Sequence, residues 1–248
     1  MTDVIAIIPA RSGSKTLEDK NIADLEGHPV LAYSIAVAKL SSKIDRVIVS
    51  TNSHEYADIA MLYGAEIPFI RPDEYSTDTS TDRDFLLHAM RYLIDEENTL
   101  PEYWVHLRPT TPLRNPQIVD DAINMIINEE ESTSLRSAHK APESPFKWFR
   151  LEQKFFKPLI EDTKNVDTFN LPKESFDDVY IPDGYVDVLR SSQVLGSNSL
   201  FGERMLGFQS PVCIELDSKE EYELLKYQAS RKENQIKDYL DNMRLGRG

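Results

Sequence analysis

Three basic residues lie within ten positions of one another near the start of a chain whose formal net charge is −14. Arg11, Lys15 and Lys20 follow a β-branched, apolar run that ends at Pro9, and the tripeptide Ser-Gly-Ser separates the first two. A backbone with small side chains can approach an anion closely and surround it with N–H donors. The loop therefore predicts a phosphate site, and a solvated charged loop is the simpler alternative.

The glycine pattern around this loop excludes two common nucleotide sites. The loop has neither G-x-x-x-x-G-K-[ST] nor G-x-G-x-x-G. These patterns are typical of P-loop NTPases and of dinucleotide-binding dehydrogenases. A phosphate site here would have to be built from backbone N–H groups together with Arg and Lys side chains.

Two carboxylates in the last fifth of the chain, Glu215 and Asp217, are two positions apart. Side chains at i and i+2 of a strand point the same way, so a strand over Val212–Leu216 would turn both toward one site. Mg²⁺ takes one or two carboxylates together with substrate phosphates and water. The pair predicts a magnesium site. Exposed loop acids, or a helix-capping role for Asp217, are the alternatives.

The elements that must position these groups alternate along the chain. Apolar runs predict strands over Val4–Pro9, Arg46–Ser50, Ile67–Ile70, Tyr103–Leu107, Ser134–Ala138, Tyr185–Leu189 and Val212–Leu216. Helices are predicted over Val30–Leu40, Glu55–Tyr63, Thr81–Glu96, Asn115–Asn128 and after the capping pair Ser218 and Glu221. Such alternation indicates a parallel sheet covered on both faces. Ligands bind these sheets at the carboxyl ends of the strands, so the loops after Ile8, Val49 and Leu107 are the predicted site.

The pattern is interrupted between Lys140 and Pro182, where prolines and aromatic residues are dense and no helical period continues. We predict an inserted strand-and-loop lobe at 140–182, carried by an α/β domain formed by 1–139 and 183–248. The aromatic residues of this lobe either pack on the main domain or form a subunit interface.

The composition of the chain limits the kinds of molecule that it is expected to bind. The acidic chain disfavours nucleic acid and anionic membranes as partners, and it has no apolar run long enough to span a bilayer. Cys213 is its single cysteine, and the first strand begins without a signal-peptide pattern. We therefore expect a cytoplasmic protein. The five histidines show no metal-ligand spacing.

Several motifs, in order along the chain, resemble those of one enzyme family. They are IPARSGSK at 8–15 followed by KN at 20–21, STNS at 50–53, GAE at 64–66, RP at 71–72, TDT at 77–79, RPTTPLR at 108–114, DG at 183–184 and ELD at 215–217. Together they resemble the CMP-sialic acid synthetases (acylneuraminate cytidylyltransferases). The ordered resemblance covers most of the chain.

The resemblance implies transfer of CMP from CTP to a nonulosonic, sialic-type sugar acid, with release of pyrophosphate and with Mg²⁺. It implies a Rossmann-like, mostly parallel sheet with helices on both faces, and a homodimer built through the inserted lobe. Catalytic roles are implied for Arg11, Lys20 and Asp217, and metal ligation for Glu215 and Asp217. Implied nucleotide contacts are Ala10, Arg11, Ser14, Asn21, Arg71, Asp78 and Asp82, and implied sugar contacts are Arg108, Thr110 and Lys147.

The chain departs from the family at four places. Thr16–Asp19 replaces the usual Gly-(Leu/Ile)-Pro-x, Arg108 replaces Gln, Asp183 replaces Asn and Glu215 replaces Asp. A fixed cation at Arg108 could pair a carboxylate bidentately, which points to a changed sugar acid. Another sugar nucleotidyltransferase, a glycosyltransferase and a non-catalytic nucleotide-binding relative are the alternatives.

Overall fold

A computed structural model of the chain describes residues 3–14, 17, 19–160, 166–231 and 235–245. Strands β1 to β10 span Val4–Pro9, Asp24–Leu25, His28–Pro29, Arg46–Ser50, Tyr103–His106, Ser134–Lys140, Phe149–Glu152, Phe155–Pro158, Tyr180–Arg190 and Met205–Gln209. Helices α1 to α7 span Val30–Leu40, His54–Leu62, Asp82–Glu97, Pro116–Ile127, Ser191–Gly196, Lys219–Arg231 and Gln235–Leu245. The predicted alternation of strands and helices is confirmed.

Six strands form the central sheet in the order β10-β6-β9-β5-β1-β4. β1 pairs in parallel with β4 and β5, and β10 pairs in parallel with β6. β9 runs antiparallel between β5 and β6. The sheet is therefore mostly parallel, with one reversed strand that the apolar pattern at Tyr185–Leu189 did not reveal.

Helices cover both faces of this sheet, as predicted. Alternate residues of β1 enter two different cores: Val4, Ala6 and Ile8 pack toward α1, α4, α6 and α7, whereas Ile5 and Ile7 pack toward α3 and α5. A strand buried on both sides cannot alternate apolar with polar residues. This explains the continuous apolar run before Pro9.

The strand order reverses at β1. The chain passes from β1 to β4 on one side and then crosses to β5 on the other side of β1. In open α/β sheets the crevice at such a reversal, beyond the carboxyl ends of the strands, is where ligands bind. The loops that begin at Ala10 and Leu107 meet there.

Two predicted strands are wrong. At Ile67–Ile70 no strand forms, and the one isolated bridge nearby joins Glu66 to Ile48. At Val212–Leu216 no strand forms, and the Leu216 amide instead donates to the carbonyl of Thr110 at 2.8 Å. The strand argument for Glu215 and Asp217 is therefore wrong, and what fixes their position is the buried Leu216 between them.

The segment between β6 and β9 contains the β7–β8 hairpin and short 3-10 turns at Pro145–Lys147, Val166–Asn170 and Lys173–Ser175. Its hairpin leaves large apolar side chains exposed, among them Leu151, Phe155 and Phe156. Whether this segment is a dimerisation lobe stays a prediction. In the part of the chain that the structure describes, no helix is long and apolar enough to cross a membrane.

Candidate active site

A pocket of about 180 Å³ lies at the carboxyl ends of β1 and β5. It is lined by four cationic side chains, Arg11, Lys20, Arg71 and Arg108, and by Pro9, Asn21, Tyr75, Ser80, Thr81, Asp82, Phe85, Pro109 and Thr110. The cations come from three separate loops and one 3-10 turn. The structure thus brings together seven of the predicted site residues, in the crevice where the strand order reverses: Arg11, Lys20, Asn21, Arg71, Asp82, Arg108 and Thr110.

The loop after β1 is held over the sheet by hydrogen bonds to the last residue of β4 and to the loop that follows it. The Ala10 amide donates to Ser50 at 2.9 Å, and the Ser12 amide donates to the side chain of Asn52 at 3.0 Å. Gly13 has φ +76°, a conformation that a residue with a Cβ adopts at a cost. Asn21 closes the loop by donating to the Arg11 carbonyl at 3.0 Å.

Of the segment that departs from the family, Thr16 and Glu18 lie outside the described residues. Asp19 has left-handed backbone with φ 50°. Its carboxylate accepts a hydrogen bond of 2.7 Å from the Tyr56 hydroxyl on α2. The Asp19 side chain is therefore tied to α2, and the 3-10 turn that carries Lys20 and Asn21 follows it directly.

Arg71 is buried against the end of β4 and the first turn of α3. Its guanidinium donates to the hydroxyl and the carbonyl of Ser50 and lies 5.0 Å over the ring of Phe85. Burial, helped by the nearby charge of Arg11, lowers the pKa of Arg71 to about 10. Its charge is retained at neutral pH, in a position where no carboxylate is bonded to it among the described residues.

Arg11 and Lys20 are each paired with one exposed carboxylate. Arg11 Nη1 lies 3.2 Å from Asp78, and Lys20 Nζ lies 2.9 Å from Asp217. The acids keep 47% and 57% of their side-chain surface exposed. Exposed pairs of this kind are worth about 0–1 kcal/mol, so an incoming anion can replace the carboxylates at little cost.

Arg108 is held quite differently, by two carboxylates at once. Nη1 donates to Asp187 at 2.8 Å and Nη2 donates to Asp82 at 2.7 Å. Burial alone would lower the pKa of Arg108, but Asp187 and Asp82 outweigh burial and raise it. Asp82 is the first residue of α3, whose N-terminus is closed by the reciprocal hydrogen bonds of Thr81 and Asp84. Both ends of the Arg108 fork are therefore committed to protein.

His106 and Arg136 complete this buried group of charges. Neither ring nitrogen of His106 has a hydrogen-bond partner in the described part of the chain, although Nδ1 lies 3.8 Å from Asp187. Burial, with the charge of Arg108 beside it, lowers the pKa of His106 to about 3. Its imidazole is therefore neutral at physiological pH. Arg136 Nε lies 3.8 Å from the other oxygen of Asp187.

Glu215 approaches strand β9 closely at Gly184. A Cβ on Gly184 would lie 2.5 Å from Glu215 Oε1 and 2.5 Å from Thr111 Oγ1, so only glycine leaves room for both. Asp183 before it is buried and accepts hydrogen bonds from Ser137 at 2.6 Å and Ser210 at 2.5 Å. The Asp-Gly pair therefore shapes the backbone against which Glu215 lies.

Glu215 and Asp217 fit a metal that is shared with a substrate. Within the described residues no group of three or more His, Cys, Asp or Glu side chains could hold a metal ion. Mg²⁺ usually binds to one or two carboxylates and completes its shell with phosphates and water. Glu215 is half-buried and Asp217 is exposed. Phosphate and water could therefore reach an ion held by these two carboxylates.

Some predicted residues do not line the pocket. Ala10, Ser14, Asp78 and Lys147 are absent from its described lining. Asp78 reaches it indirectly through Arg11, whereas Lys147 donates to the carbonyl of Leu171 within the inserted segment. The roles of all the predicted site residues stay predictions.

Sequence reasoning missed Asp187, His106 as part of the charge group, and Arg136. One signal was present. Asp187 lies between Val186 and Val188 in an apolar run, and a carboxylate in a buried strand requires a charged partner. Because that partner, Arg108, is 79 positions away, only the sheet order identifies it.

Comparison with known proteins gives a consistent result. The model of a family described as Cytidylyltransferase matches residues 5–242. The chain is 29% identical over 248 residues to an N-acylneuraminate cytidylyltransferase of Escherichia coli O18:K1:H7, covering 98% of this chain and 56% of the relative. It is 35% identical over 125 residues to a CMP-N,N'-diacetyllegionaminic acid synthase of Legionella pneumophila, covering 49% of this chain and 52% of the relative. The chain thus spans about half the length of these relatives.

A solved structure described as CMP:2-keto-3-deoxy-manno-octonic acid synthetase complexed with CTP has the same fold. Its TM-score is 0.69, and the match covers 93% of this chain and 99% of that chain. The two sequences are 13% identical, so this likeness shows the fold alone.

Proposed function

The chain belongs to the cytidylyltransferase family, and from this premise we propose that it transfers CMP from CTP to a nonulosonic, sialic-type sugar acid and releases pyrophosphate. The observation that carries the proposal is the cluster of Arg11, Lys20, Arg71 and Arg108 around one crevice in a protein of net charge −14. A nucleoside triphosphate is the kind of anion that such a cluster attracts. The names of the relatives support CTP as the nucleotide and a sugar acid as the acceptor.

The nucleotide end of the site is proposed to work by exchange of partners. The triphosphate replaces Asp78 at Arg11 and Asp217 at Lys20, so these cations hold the phosphates and neutralise charge on the departing pyrophosphate. Asn21 and Arg71 line the same pocket and are proposed to contact the nucleotide, with Ala10, Ser14 and Asp82. Holding both substrates in line supplies the rest of the catalysis.

Glu215 and Asp217 are proposed to hold Mg²⁺ together with phosphate oxygens of CTP. The ion, when bound, polarises the phosphate and stabilises charge on the leaving group. The pairing of Asp217 with Lys20 at 2.9 Å supports this role, because it brings the carboxylate to the side of the pocket where the phosphates would lie. If Lys20 paired with phosphate instead, the Asp217 carboxylate would be available to hold the ion.

The sugar acid is proposed to lie on the side of the pocket lined by Arg108 and Thr110. Lys147 lies in the inserted segment and does not line the described pocket, so we propose that it reaches the sugar from a second copy of the chain. The exposed apolar side chains of the β7–β8 hairpin support a homodimer formed through this segment. We expect the reaction to take place in the cytoplasm, which supplies CTP.

The test is a pyrophosphate-release assay with Mg²⁺ and CTP against N-acetylneuraminic, N,N'-diacetyllegionaminic, pseudaminic and 2-keto-3-deoxy-manno-octonic acids. UTP, GTP and ATP replace CTP in matched reactions, and reactions without a sugar acid measure background hydrolysis. We expect release with CTP and at least one of the acids, and its loss when EDTA removes the metal. Binding of CTP without turnover of any acid would contradict the proposal.

A further inference from the structure

Arg136 is a cation of the buried charge group that the proposed reaction does not use. Its Nε is buried without a hydrogen-bond partner, while the side chain as a whole keeps 31% of its surface exposed. The guanidinium lies 4.7 Å over the ring of Phe201. It donates no hydrogen bond to any of the described residues. A guanidinium stacked on a ring has a set orientation, so its free donors face a constant direction.

The carboxylate of Asp187 joins this cation to the nucleotide pocket. One Asp187 oxygen bonds Arg108 at 2.8 Å, and the other lies 3.8 Å from Arg136 Nε, too far for a hydrogen bond. Arg108, which lines the nucleotide pocket, has both ends of its fork committed to Asp82 and Asp187. Arg136 lies beside the same carboxylate, and its N–H groups donate to none of the described residues.

Arg136 also lines a second cavity, of about 480 Å³. The walls of this cavity come from three neighbouring strands, β6, β9 and β10, and they include Ala138, Tyr180, Pro182, Met205 and Gln209. Its size falls in the range of about 300–1,000 Å³ that is common for small-molecule sites. Arg136 and Tyr180 are polar groups in a mostly apolar lining, as in sites that orient a ligand.

We propose that Arg136 is a specificity-determining residue that binds oxygen acceptors of the sugar acid, with Asp187 as the positioning residue behind it. This inference rests on the function proposed above and extends the sugar site from Arg108 toward β10. The shared chemistry is a pair of acceptor oxygens on the sugar acid, either its carboxylate or the carbonyl of an acylamino substituent. Both fit the planar fork of an arginine.

The experiment compares Arg136→Met, which keeps an unbranched apolar stem but removes the guanidinium and its contact with Phe201, and Arg136→Lys, which keeps the charge. Arg204→Met is the matched control. Arg204 directly precedes β10, and it is an exposed arginine that pairs with Glu131. For each variant the KM for the sugar acid, the KM for CTP and kcat are measured separately. Two sugar acids are compared as substrates. One is an acylamino-bearing acid that the wild type uses, and the other is 2-keto-3-deoxy-manno-octonic acid, which has no acylamino group.

Loss of a hydrogen bond to a charged group predicts a rise of about ten-fold or more in the sugar-acid KM of Arg136→Met. The KM for CTP stays within about two-fold of wild type, Arg136→Lys recovers part of the loss, and Arg204→Met behaves as wild type. An equal penalty on both acids assigns Arg136 to the carboxylate, and a penalty confined to the acylamino-bearing acid assigns it to the acyl carbonyl.

An unchanged sugar-acid KM in Arg136→Met, or equal rises in the KM for sugar acid and for CTP, would overturn this inference. Turnover by the wild type would still support the proposed function in that case. If the wild type itself turns over none of the acids, the proposed function and the inference fail together. Circular dichroism of each variant excludes unfolding as the cause of a loss.

Discussion

The two ends of the candidate site hold their charges in opposite ways. At the nucleotide end, Arg11 and Lys20 each face one exposed carboxylate, Asp78 or Asp217. At the other end, Arg108 lies between Asp82 and a fully buried Asp187. The same kinds of side chain therefore form replaceable pairs at one end and a fixed group at the other.

The physical reason is solvation. An exposed pair gains about 0–1 kcal/mol because water competes for both partners. Removal of one partner of a buried pair costs about 3–5 kcal/mol because the other charge is then left without water or a partner. A site that must exchange protein carboxylates for phosphates needs exposed ion pairs. A part of the site that keeps a fixed shape needs buried ion pairs.

The largest effect is expected from Asp187→Ala. It leaves Arg108 with half of its partners in a buried position, so we expect the free energy of unfolding to fall by about 3–5 kcal/mol. Urea unfolding measures the change, with Asp217→Ala as the control at an exposed carboxylate. A loss below about 1 kcal/mol would show that the buried group is no more costly to break than the exposed pairs.

Lys20→Ala should separate activity from stability at the nucleotide end. Because the proposed phosphate contact of a charged group is lost, we expect turnover to fall about 10- to 150-fold, equivalent to about 1.5–3 kcal/mol. The unfolding midpoint in urea should stay close to that of the wild type. Wild-type kinetics in this variant would remove Lys20 from the phosphate site.

His106 makes the fixed end sensitive to acid. Its pKa is lowered to about 3 in the folded chain, whereas an unfolded histidine titrates near pH 6.5. Between these values the unfolded state binds more protons, so stability is lost as the pH falls below about 6.5. From pH 6.5 to 5 this contribution amounts to about 2 kcal/mol.

The measurement is the difference between wild type and His106→Gln in urea unfolding at pH 7.5 and at pH 5. Other groups of the cluster, Asp82, Asp187, Arg108 and Arg136, are present in both proteins, so the difference isolates the histidine. The variant should lose less stability on acidification than the wild type does. Equal losses would mean that the pKa of His106 is the same in the folded and the unfolded chain.

The smallest effect is expected from Asp78→Ala. Asp78 and Arg11 keep 47% and 37% of their side-chain surface exposed, so the stability should change by less than about 1 kcal/mol. Raising the salt concentration should shrink even this difference. A change as large as that of Asp187→Ala would contradict the division of the site into two kinds of charge.

Much of the scaffold could be predicted because its signals are local. The start of α4 directly after Asn115 and the capping pair Ser218 and Glu221 of α6 are confirmed. The predicted strands at Ile67–Ile70 and Val212–Leu216 are wrong because short apolar runs also occur where the backbone has no partner strand. Pairing depends on the sheet and not on the run itself.

The candidate site was predicted unevenly for the same reason. Arg11, Lys20 and Asn21 belong to one loop, so their common location followed from their spacing and their motif. The resemblance to the family predicted Arg108 as a sugar contact. It did not predict that Arg108 pairs with Asp82 and Asp187. Those partners lie 26 and 79 positions away.

The sequence by itself determined the alternation of strands and helices and the edge of the sheet where charged loops gather. Periodicity and turn chemistry act over a few residues, so they are legible without a structure. The tertiary structure alone decided that β9 runs antiparallel between β5 and β6, which brings Asp187 between Arg108 and Arg136. Which buried charges meet depends on the order of the strands, and that order is settled by packing across the whole sheet.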